Sequence, residues 1–207
     1  MSVIHGFDIS NNNGSINWDI TGKQPYSFVV IKASEGTGFR DPFFRSDWTE
    51  AGQHGLVRGA YHFGRPSQNS GHAEAQFFLD MVGDLQVGDF LALDLEDVQV
   101  AADADLHAYA LDFLTTVEAQ VGFKPLLYSA NWYMEPHNLL GHDDLAQYGI
   151  WYASWQPTQP SPPKPWPFIA MWQFGTGTIP GINGQVDFDL FNGDVGQLKK
   201  YGKPAPV

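Results

Sequence analysis

The stretch Leu91-Ala92-Leu93-Asp94-Leu95-Glu96-Asp97 places two carboxylates two residues apart at the end of an apolar run. Because alternate residues of a strand share a face, the leucines point to one side, and Asp94 and Glu96 point to the other. Two acids on one face of a strand suit general acid–base chemistry on a neutral polymer, with glycoside hydrolysis as the leading case. The alternative is that these acids begin the next loop and that one of them caps a helix.

Composition narrows the classes of function. The 207 residues carry 11 basic and 23 acidic side chains, a net charge of −12, which argues against binding nucleic acid or an anionic membrane through general electrostatics. The chain has no cysteine, so disulfides, zinc–thiolate sites and a cysteine nucleophile are excluded. No secretory signal is visible at the N-terminus, and no apolar run approaches the length of a membrane span. We expect a monomer without a cofactor or metal; a metal held by carboxylates is the weaker alternative.

The chain predicts one domain over residues 1–200, with residues 201–207 as a tail or the start of a linker. Helical periodicity is clearest at residues 105–121, and residues 72–82 and 43–54 are candidates for shorter helices. Candidate strands, rich in β-branched and aromatic residues, fall at residues 3–9, 26–33, 57–63, 89–96, 125–129, 149–154, 168–174 and 185–188. This order favours an α/β fold, an irregular TIM-like (β/α) barrel with about eight mostly parallel strands. Helices should be missing in the second half, where residues 157–167 hold six prolines. A doubly wound open sheet is the main alternative.

The ends of the predicted strands carry acids and aromatic side chains. In a parallel barrel the carboxyl ends of the strands form the active-site rim, so these side chains should converge on one cleft. They are Asp8, Glu35, Tyr61, Phe63, Asp94, Glu96, Tyr128, Trp151 in the segment up to Trp155, Trp172, Gln173 and Asp187.

Glu96 is the predicted general acid/base. Like charge from Asp94, Asp8 and Asp187 should raise the pKa of its carboxyl so that it keeps a proton near neutrality. Asp94 is the predicted ionised partner. Glu35 lies close to Lys32 in sequence, and an ion pair between them is the alternative to a role in binding.

These motifs resemble those of the family-25 glycoside hydrolases, the Chalaropsis-type lysozymes. The resemblance runs from Gly6 to about Asn192, through the segments 6–10, 16–18, 31–36, 59–63, 93–96, 127–129, 150–153, 171–174, 180–184 and 186–187. It implies an irregular α/β barrel that hydrolyses the β-1,4 bond between N-acetylmuramic acid and N-acetylglucosamine in peptidoglycan. It points to Glu96 as acid/base with Asp94 as its partner, and Asp8 and Asp187 match two further acids. Tyr61, Tyr128 and the pair Trp172–Gln173 match a sugar-contacting rim.

Two departures from the family pattern bear on substrate contacts. The sequence Phe174-Gly175-Thr176 stands where the family commonly has Tyr-Thr-Ser, and Asp189 stands where Asn is usual.

The resemblance also suggests a retaining reaction in which the 2-acetamido group of the substrate acts as nucleophile, with a carboxylate nucleophile as the alternative. The absence of a visible signal peptide predicts a phage endolysin that reaches the wall with a holin-type partner, or else export by a signal outside this sequence. Two other functions stay open: a non-catalytic barrel that binds wall glycan, and a glycosidase of the chitin type.

Overall fold

The computed structural model describes residues 2–102 and 104–206 of the chain. Within these residues nine strands form a single sheet, and eight of them close into a barrel in the order β1-β2-β4-β5-β6-β7-β8-β9, with β9 paired back to β1. Strand β3 pairs only with β2, as a short hairpin beside the barrel. The strands are β1 (Ile4–Ile9), β2 (Phe28–Glu35), β3 (Phe39–Arg40), β4 (Val57–Phe63), β5 (Phe90–Asp94), β6 (Leu126–Ala130), β7 (Ile150–Ala153), β8 (Met171–Gly177) and β9 (Val186–Phe191).

Three long helices cover the first half of the barrel, as the sequence predicts. The helices are α1 (Trp18–Thr21), α2 (Phe44–Gln53), α3 (Gly71–Val82), α4 (Leu106–Val121), α5 (Asn131–Met134) and α6 (Val195–Leu198). Helix α4 begins where the Asp105 carboxylate accepts a hydrogen bond from the Ala108 amide at 2.9 Å. It ends at Gly122, whose φ of 79° is left-handed and suits glycine. Between β7 and β8 the described chain contains no helix, which confirms the predicted irregularity.

Strand β9 corrects the predicted topology in one respect. It runs antiparallel to both of its neighbours, β8 and β1, whereas the other barrel pairs are parallel. The prediction that a strand ends near Asp187 is therefore wrong, because β9 begins at Val186 and continues to Phe191. Since β9 is reversed, its first residues lie at the same rim as the carboxyl ends of the parallel strands. The barrel is closed, so the doubly wound open sheet is excluded.

The alternation of each strand builds two apolar layers. Side chains such as Phe28, Phe90 and Trp151 fill the barrel interior, and a larger layer between barrel and helices includes Phe7, Leu91 and Phe113. Burial of each such side chain stabilises the fold by roughly 1.5–3 kcal/mol. The interior face of the strands carries apolar residues at the bottom of the barrel and acids at the rim.

The end of the chain packs against the bottom of the barrel as far as Lys203. The ring of Tyr201 lies edge-on to Phe191 with centroids 5.5 Å apart. The backbone of Lys203 donates to Asp89 O and accepts from Gly88 N, each at 2.9 Å. Residues 201–203, which the sequence assigns to a tail or linker, thus contact the barrel. No helix within the described residues is long and apolar enough to cross a membrane.

Candidate active site

Strand alternation turns a set of carboxylates toward the rim of the barrel interior. Asp8 on β1 lies opposite Asp187 on β9, and Gly6 lies opposite Asp189, so β1 and β9 bring three acids together. Asp94 is the last residue of β5. Asp189 was noted in the sequence only as a departure from the family pattern, and the structure places it inside the barrel.

Glu96 joins the group although β5 ends two residues before it. The Leu95 amide donates to Tyr128 O at 3.0 Å, and the Ser129 hydroxyl donates to Leu95 O at 2.8 Å. These bonds keep the chain extended beside β6, and Leu95 is fully buried on the outer side. The alternation inferred from the sequence therefore continues past the strand, with Asp94 buried and Glu96 partly exposed at the rim.

The pKa of Glu96 is raised to about 7, chiefly by burial and next by the negative charge of Asp187. The hydrogen bond from Tyr128 and the charge of Lys32 oppose this shift. The direction is the one predicted from the sequence, but burial is the larger cause and like charge the smaller one. At neutral pH this carboxyl exists in both protonation states, as a group that gives and takes a proton requires.

Asp94 differs from the ionised partner that the sequence suggested. Its side chain is 6% exposed, and its Oδ1 receives no hydrogen bond from the described residues. Burial and then the charge of Glu96 raise its pKa well above the ordinary value for aspartate. Burial likewise raises the pKa of Asp8 and of Asp187, and for Asp8 the charge of Asp187 adds to the effect. Each of these carboxyls is therefore easier to protonate than an exposed aspartate.

Gln173 on β8 connects the acids through both ends of its amide. Its Nε2 donates to Asp8 at 2.9 Å and, more weakly, to Asp187 at 3.4 Å. Its Oε1 accepts from the Tyr128 hydroxyl at 3.1 Å and from the Trp155 indole at 3.2 Å. Because the amide is 4% exposed, these bonds fix its orientation in a dry environment.

Two depressions at the rim share Asp187. One, of about 190 Å³, includes Asp8 and Tyr61 in its wall. The other, of about 340 Å³, includes Glu96, Tyr128 and Gln173. Together they form an acidic pocket along which a polymer can lie.

Two exposed indoles border the larger depression. Trp132 is 58% exposed and Trp155 is 59% exposed. Sequence reasoning missed Trp132 altogether and placed Trp155 only as the end of a strand segment. Trp132 is the second residue after the end of β6, in the short helix α5, and this place close to a strand end is the signal that could have found it.

The aromatic residues predicted to bind substrate fall into three groups. Tyr61 and Tyr128 line the pocket, although each is less than 10% exposed. Trp151 is 1% exposed, lies beneath the pocket with its ring edge-on to Tyr128, and has no free face. Trp172 points away from the pocket into the outer layer, where its indole donates to Ser154 O at 2.7 Å.

Glu35 and Phe63 lie with the basic residues of the rim. Lys32 donates to Glu35 at 2.7 Å and sits 5.0 Å from the centre of the Phe63 ring. Arg65, which the sequence analysis did not single out, contacts Glu35 at 2.6 Å and also pairs with Asp97. Burial works to raise the pKa of Glu35, but the hydrogen bonds from Lys32 and Arg65 outweigh it, and the pKa is lowered. Glu35 is therefore a stable anion that neutralises these cations.

A second polar cluster has the residue types of a catalytic triad, but its side chains are not accessible to solvent or substrate. The Ser34 hydroxyl lies 2.9 Å from His62 Nδ1, and His62 Nε2 lies 2.7 Å from Glu74. All three side chains are fully buried on the outer face of the strands. Glu74 also accepts from Tyr109, Asn69 and the Arg65 amide. Burial lowers the pKa of His62, so the neutral ring bridges β2 to α3 as a structural element.

Two other features lie apart from the acidic pocket. A depression of about 740 Å³ runs between α1, α2 and residues 181–183 and shares no lining residue with the pocket. Among the described residues, one group could hold a metal ion, His107, His142 and Asp144, which the sequence spacing did not indicate. It is partly to fully exposed, and the hydrogen bond of 2.9 Å between His107 and Asp144 accounts for its arrangement.

Comparison with known proteins gives the family. The model of the family described as glycosyl hydrolases family 25 matches residues 7–182. The chain belongs to this family. It is a glycoside hydrolase of the lysozyme type, acting on peptidoglycan.

Similar proteins cover nearly the whole chain. An uncharacterized protein of Escherichia coli K12, YegX, is 35% identical over 96% of this chain and 73% of its own length. Lysozyme M1 of Streptomyces globisporus is 31% identical over 95% of this chain and 70% of its own. The crystal structure of the bacterial lysozyme from Streptomyces coelicolor matches 99% of this chain and 100% of its own, at 30% identity and a TM-score of 0.89. The chain therefore shares its fold with this lysozyme over nearly its whole length.

Proposed function

We propose that the chain is an N-acetylmuramidase that cleaves the β-1,4 bond between N-acetylmuramic acid and N-acetylglucosamine, with Glu96 as the general acid and base. The observation that carries this proposal is the placement of Glu96. It stands partly exposed at the mouth of an acidic pocket, and its pKa is raised to about 7. A carboxyl that titrates near neutrality can protonate a leaving oxygen and later accept a proton from water.

The reaction proceeds in two steps in this proposal. In the first, the carbonyl oxygen of the substrate's 2-acetamido group attacks the anomeric carbon. The glycosidic bond breaks, and Glu96 donates its proton to the leaving oxygen. In the second, Glu96 removes a proton from water, which attacks the anomeric carbon and opens the oxazolinium ring with retention of configuration. A direct attack by a carboxylate is the alternative route.

Asp94 orients the acetamido group of the substrate and stabilises the oxazolinium ion that forms from it. In the free protein its pKa is raised, so its carboxyl holds a proton more readily than an exposed aspartate. Positive charge on the oxazolinium ring would favour the ionised form again, since an opposite charge nearby lowers the pKa of a carboxyl. The attraction between Asp94 and the substrate would therefore be strongest in the transition state, where the positive charge develops. An interaction accelerates a reaction when it is stronger in the transition state than in the bound substrate.

Asp8 and Asp187 complete the negative wall of the pocket, and Gln173 holds them in place. The exposed indoles of Trp132 and Trp155 offer flat surfaces for sugar rings on the Glu96 side of the pocket. Tyr61 and Tyr128 supply hydroxyl groups deeper in it. Trp151 and Trp172 support this arrangement from buried positions.

The bond that is cleaved can be identified from the products. Purified peptidoglycan is digested with the full chain, and the reducing ends of the released muropeptides are identified by mass spectrometry. The proposal predicts reducing N-acetylmuramic acid. Reducing N-acetylglucosamine, or turnover of chitin oligomers in place of peptidoglycan, would contradict it. Wall binding by the folded chain without release of fragments would support the glycan-binding alternative.

The nucleophile requires a separate test. A thiazoline analogue of the oxazolinium intermediate should inhibit competitively if the acetamido group attacks. No inhibition by the thiazoline, together with a covalent glycosyl–enzyme adduct trapped by a fluorosugar, would establish the carboxylate route.

We also propose an endolysin role, in which a holin-type partner releases the enzyme to the wall. The support for this role is the similarity to the crystal structure of the CTP1L endolysin, which matches 97% of this chain and 70% of its own at 31% identity and a TM-score of 0.81. Expression in a bacterial host with and without a holin tests it. Lysis only with the holin is expected, and equal lysis without it would contradict the role.

A further inference from the structure

Asp189 is the most deeply buried carboxyl of the barrel interior. Its side chain is 0% exposed, and its Oδ1 accepts a hydrogen bond of 2.7 Å from the Trp151 indole. Its Oδ2 receives no hydrogen bond from an N–H or O–H group of the described residues. If Asp189 were ionised, its Oδ2 would carry negative charge without a hydrogen-bond donor or water to stabilise it, which is energetically costly in a buried interior.

The neighbour of Asp189 is another carboxyl. Asp189 lies on the same interior face of β9 as Asp187, which stands opposite Asp8 on β1, so Asp189 and Asp8 are diagonal neighbours across the two strands. This places the two carboxyl groups near enough for a hydrogen bond between them. Two ionised carboxylates have only acceptors and cannot form such a bond, whereas an acid and a carboxylate can. A proton held by the pair would therefore let Asp189 Oδ2, which has no other partner among the described residues, bond to Asp8.

The surroundings of the two side chains determine where that proton resides. Asp8 is partly exposed to the pocket and already accepts a hydrogen bond from Gln173 at 2.9 Å, which favours its ionised form. Asp189 has no exposed atom to hydrate a charge. Burial, followed by the charge of Asp8, raises the pKa of Asp189 well above the ordinary value.

We propose that Asp189 is a permanently protonated positioning residue whose acid O–H donates to Asp8 and holds that carboxylate, as an anion, against the wall of the active-site pocket. With Gln173 as the second donor, Asp8 then has two fixed hydrogen bonds and cannot turn away from the substrate. The inference rests on the proposed function, in which Asp8 is part of the pocket.

Other titratable groups face this interior from the remaining strands and bear on its titration. They are Asp187 on the same strand, Lys32 on β2, Tyr61 on β4, Asp94 and Glu96 at the end of β5 and Tyr128 on β6. Of these Lys32 is the cation, and it is paired with Glu35. The proton on Asp189 thus limits the negative charge that the barrel interior must hold.

Two substitutions in the full chain distinguish the effect of the hydrogen-bond donor at position 189 from the effect of the side-chain volume. Asp189→Asn keeps the shape and an N–H donor with no charge, and Asp189→Leu keeps a similar volume with no donor. Asp187→Asn is the reference for removing a charge near Glu96. For each protein, kcat/KM on purified peptidoglycan is measured as a function of pH. The midpoint of the alkaline limb reports the pKa of Glu96.

If Asp189 is protonated, Asp189→Asn keeps activity within about threefold of wild type and leaves the alkaline midpoint in place. Asp189→Leu should lower kcat by at least about tenfold, with folding checked by circular dichroism. A lower alkaline midpoint in Asp189→Asn, like that in Asp187→Asn, would mean that a charge was removed and would overturn the proposal. Equal loss of activity in Asp189→Asn and Asp189→Leu would also overturn it.

A spectroscopic measurement tests the proton independently of the reaction. The infrared difference spectrum between wild type and Asp189→Asn at neutral pH should contain the band of a protonated carboxyl group. A carboxylate band in its place would overturn the proposal even if the enzyme is inactive on peptidoglycan. The failure of this inference is thereby distinct from the failure of the proposed function.

Discussion

The amide nitrogen of Gln173 donates a hydrogen bond to Asp8 across 2.9 Å. The other end of the same amide accepts from Tyr128, which in turn lies 3.5 Å from Glu96. One neutral side chain thus links the two sides of the acidic pocket. It does so without adding charge to a region where the carboxyl groups already repel each other.

Replacing Gln173 by Met should therefore impair catalysis more than stability. The new side chain has a similar length but leaves Asp8 and Tyr128 without their shared partner. Loss of these buried hydrogen bonds costs about 1–3 kcal/mol, so we expect kcat/KM to fall roughly 10- to 100-fold. A change below threefold, measured on purified peptidoglycan, would show that the amide does not organise the pocket.

The pH dependence of activity should follow Glu96. Because its pKa is about 7 and it must be protonated to act as the acid, kcat/KM should be constant just below this pH and fall above it. The fall should approach tenfold per pH unit. An alkaline limb that begins above pH 9 would assign the acid to another group.

The stability of the fold should decrease between about pH 4 and 7. Folding raises the pKa of Asp47 to about 6 and of Glu96 to about 7. Both groups therefore bind protons more tightly in the folded chain, and their stabilisation is complete below their unfolded pKa and is lost as pH rises through the folded pKa. The urea midpoint measures this effect. It should fall over this range in wild type and fall less in Asp47→Asn, and a midpoint that rises with pH would contradict the account.

The exposed indoles should govern substrate affinity. Trp132→Ala and Trp155→Ala each remove a flat ring worth about 0.5–1.5 kcal/mol of contact, so KM should rise by about 3- to 10-fold with little change in kcat. Phe168→Ala is the matched control, because Phe168 is 47% exposed and lines neither half of the pocket. Equal effects of all three substitutions would point to a general surface effect in place of sugar stacking.

The buried Ser34–His62–Glu74 cluster should affect stability alone. Glu74→Leu leaves His62, Tyr109 and the Arg65 amide without their acceptor, which should cost about 3 kcal/mol or more of unfolding free energy. Urea denaturation gives this value, and kcat per folded molecule should stay unchanged. Loss of kcat in a variant that remains folded would give the cluster a role in the reaction.

The sequence predicted the barrel and most of its acidic rim, because strand alternation and strand ends can be read locally. It could not predict which strand would be reversed, since the direction of β9 depends on pairing with β1 and β8, far away in the chain. For the same reason Asp189 was not identified as a member of the interior. Local patterns also placed Trp172 beside Gln173 on the rim, although alternation sends adjacent residues to opposite faces.

The three-dimensional surroundings of individual side chains explain the remaining differences between the sequence predictions and the structure. Asp94 looked like an ionised partner from its charge alone, but its burial raises its pKa. Arg65 and Trp132 lie outside the strands on which the prediction was based, and only the folded chain brings Arg65 to Glu35 and Trp132 to the Glu96 side of the pocket.

The most direct test of Glu96 as the catalytic acid is the rate of muropeptide release by Glu96→Gln, beside Glu135→Gln as a control with the same chemical change at an exposed position. General acid–base catalysis contributes about 10²- to 10⁴-fold, so Glu96→Gln should lose at least 100-fold in kcat while still binding cell wall. Glu135→Gln should match wild type. Wild-type release by Glu96→Gln would contradict the account and place the acid elsewhere in the pocket.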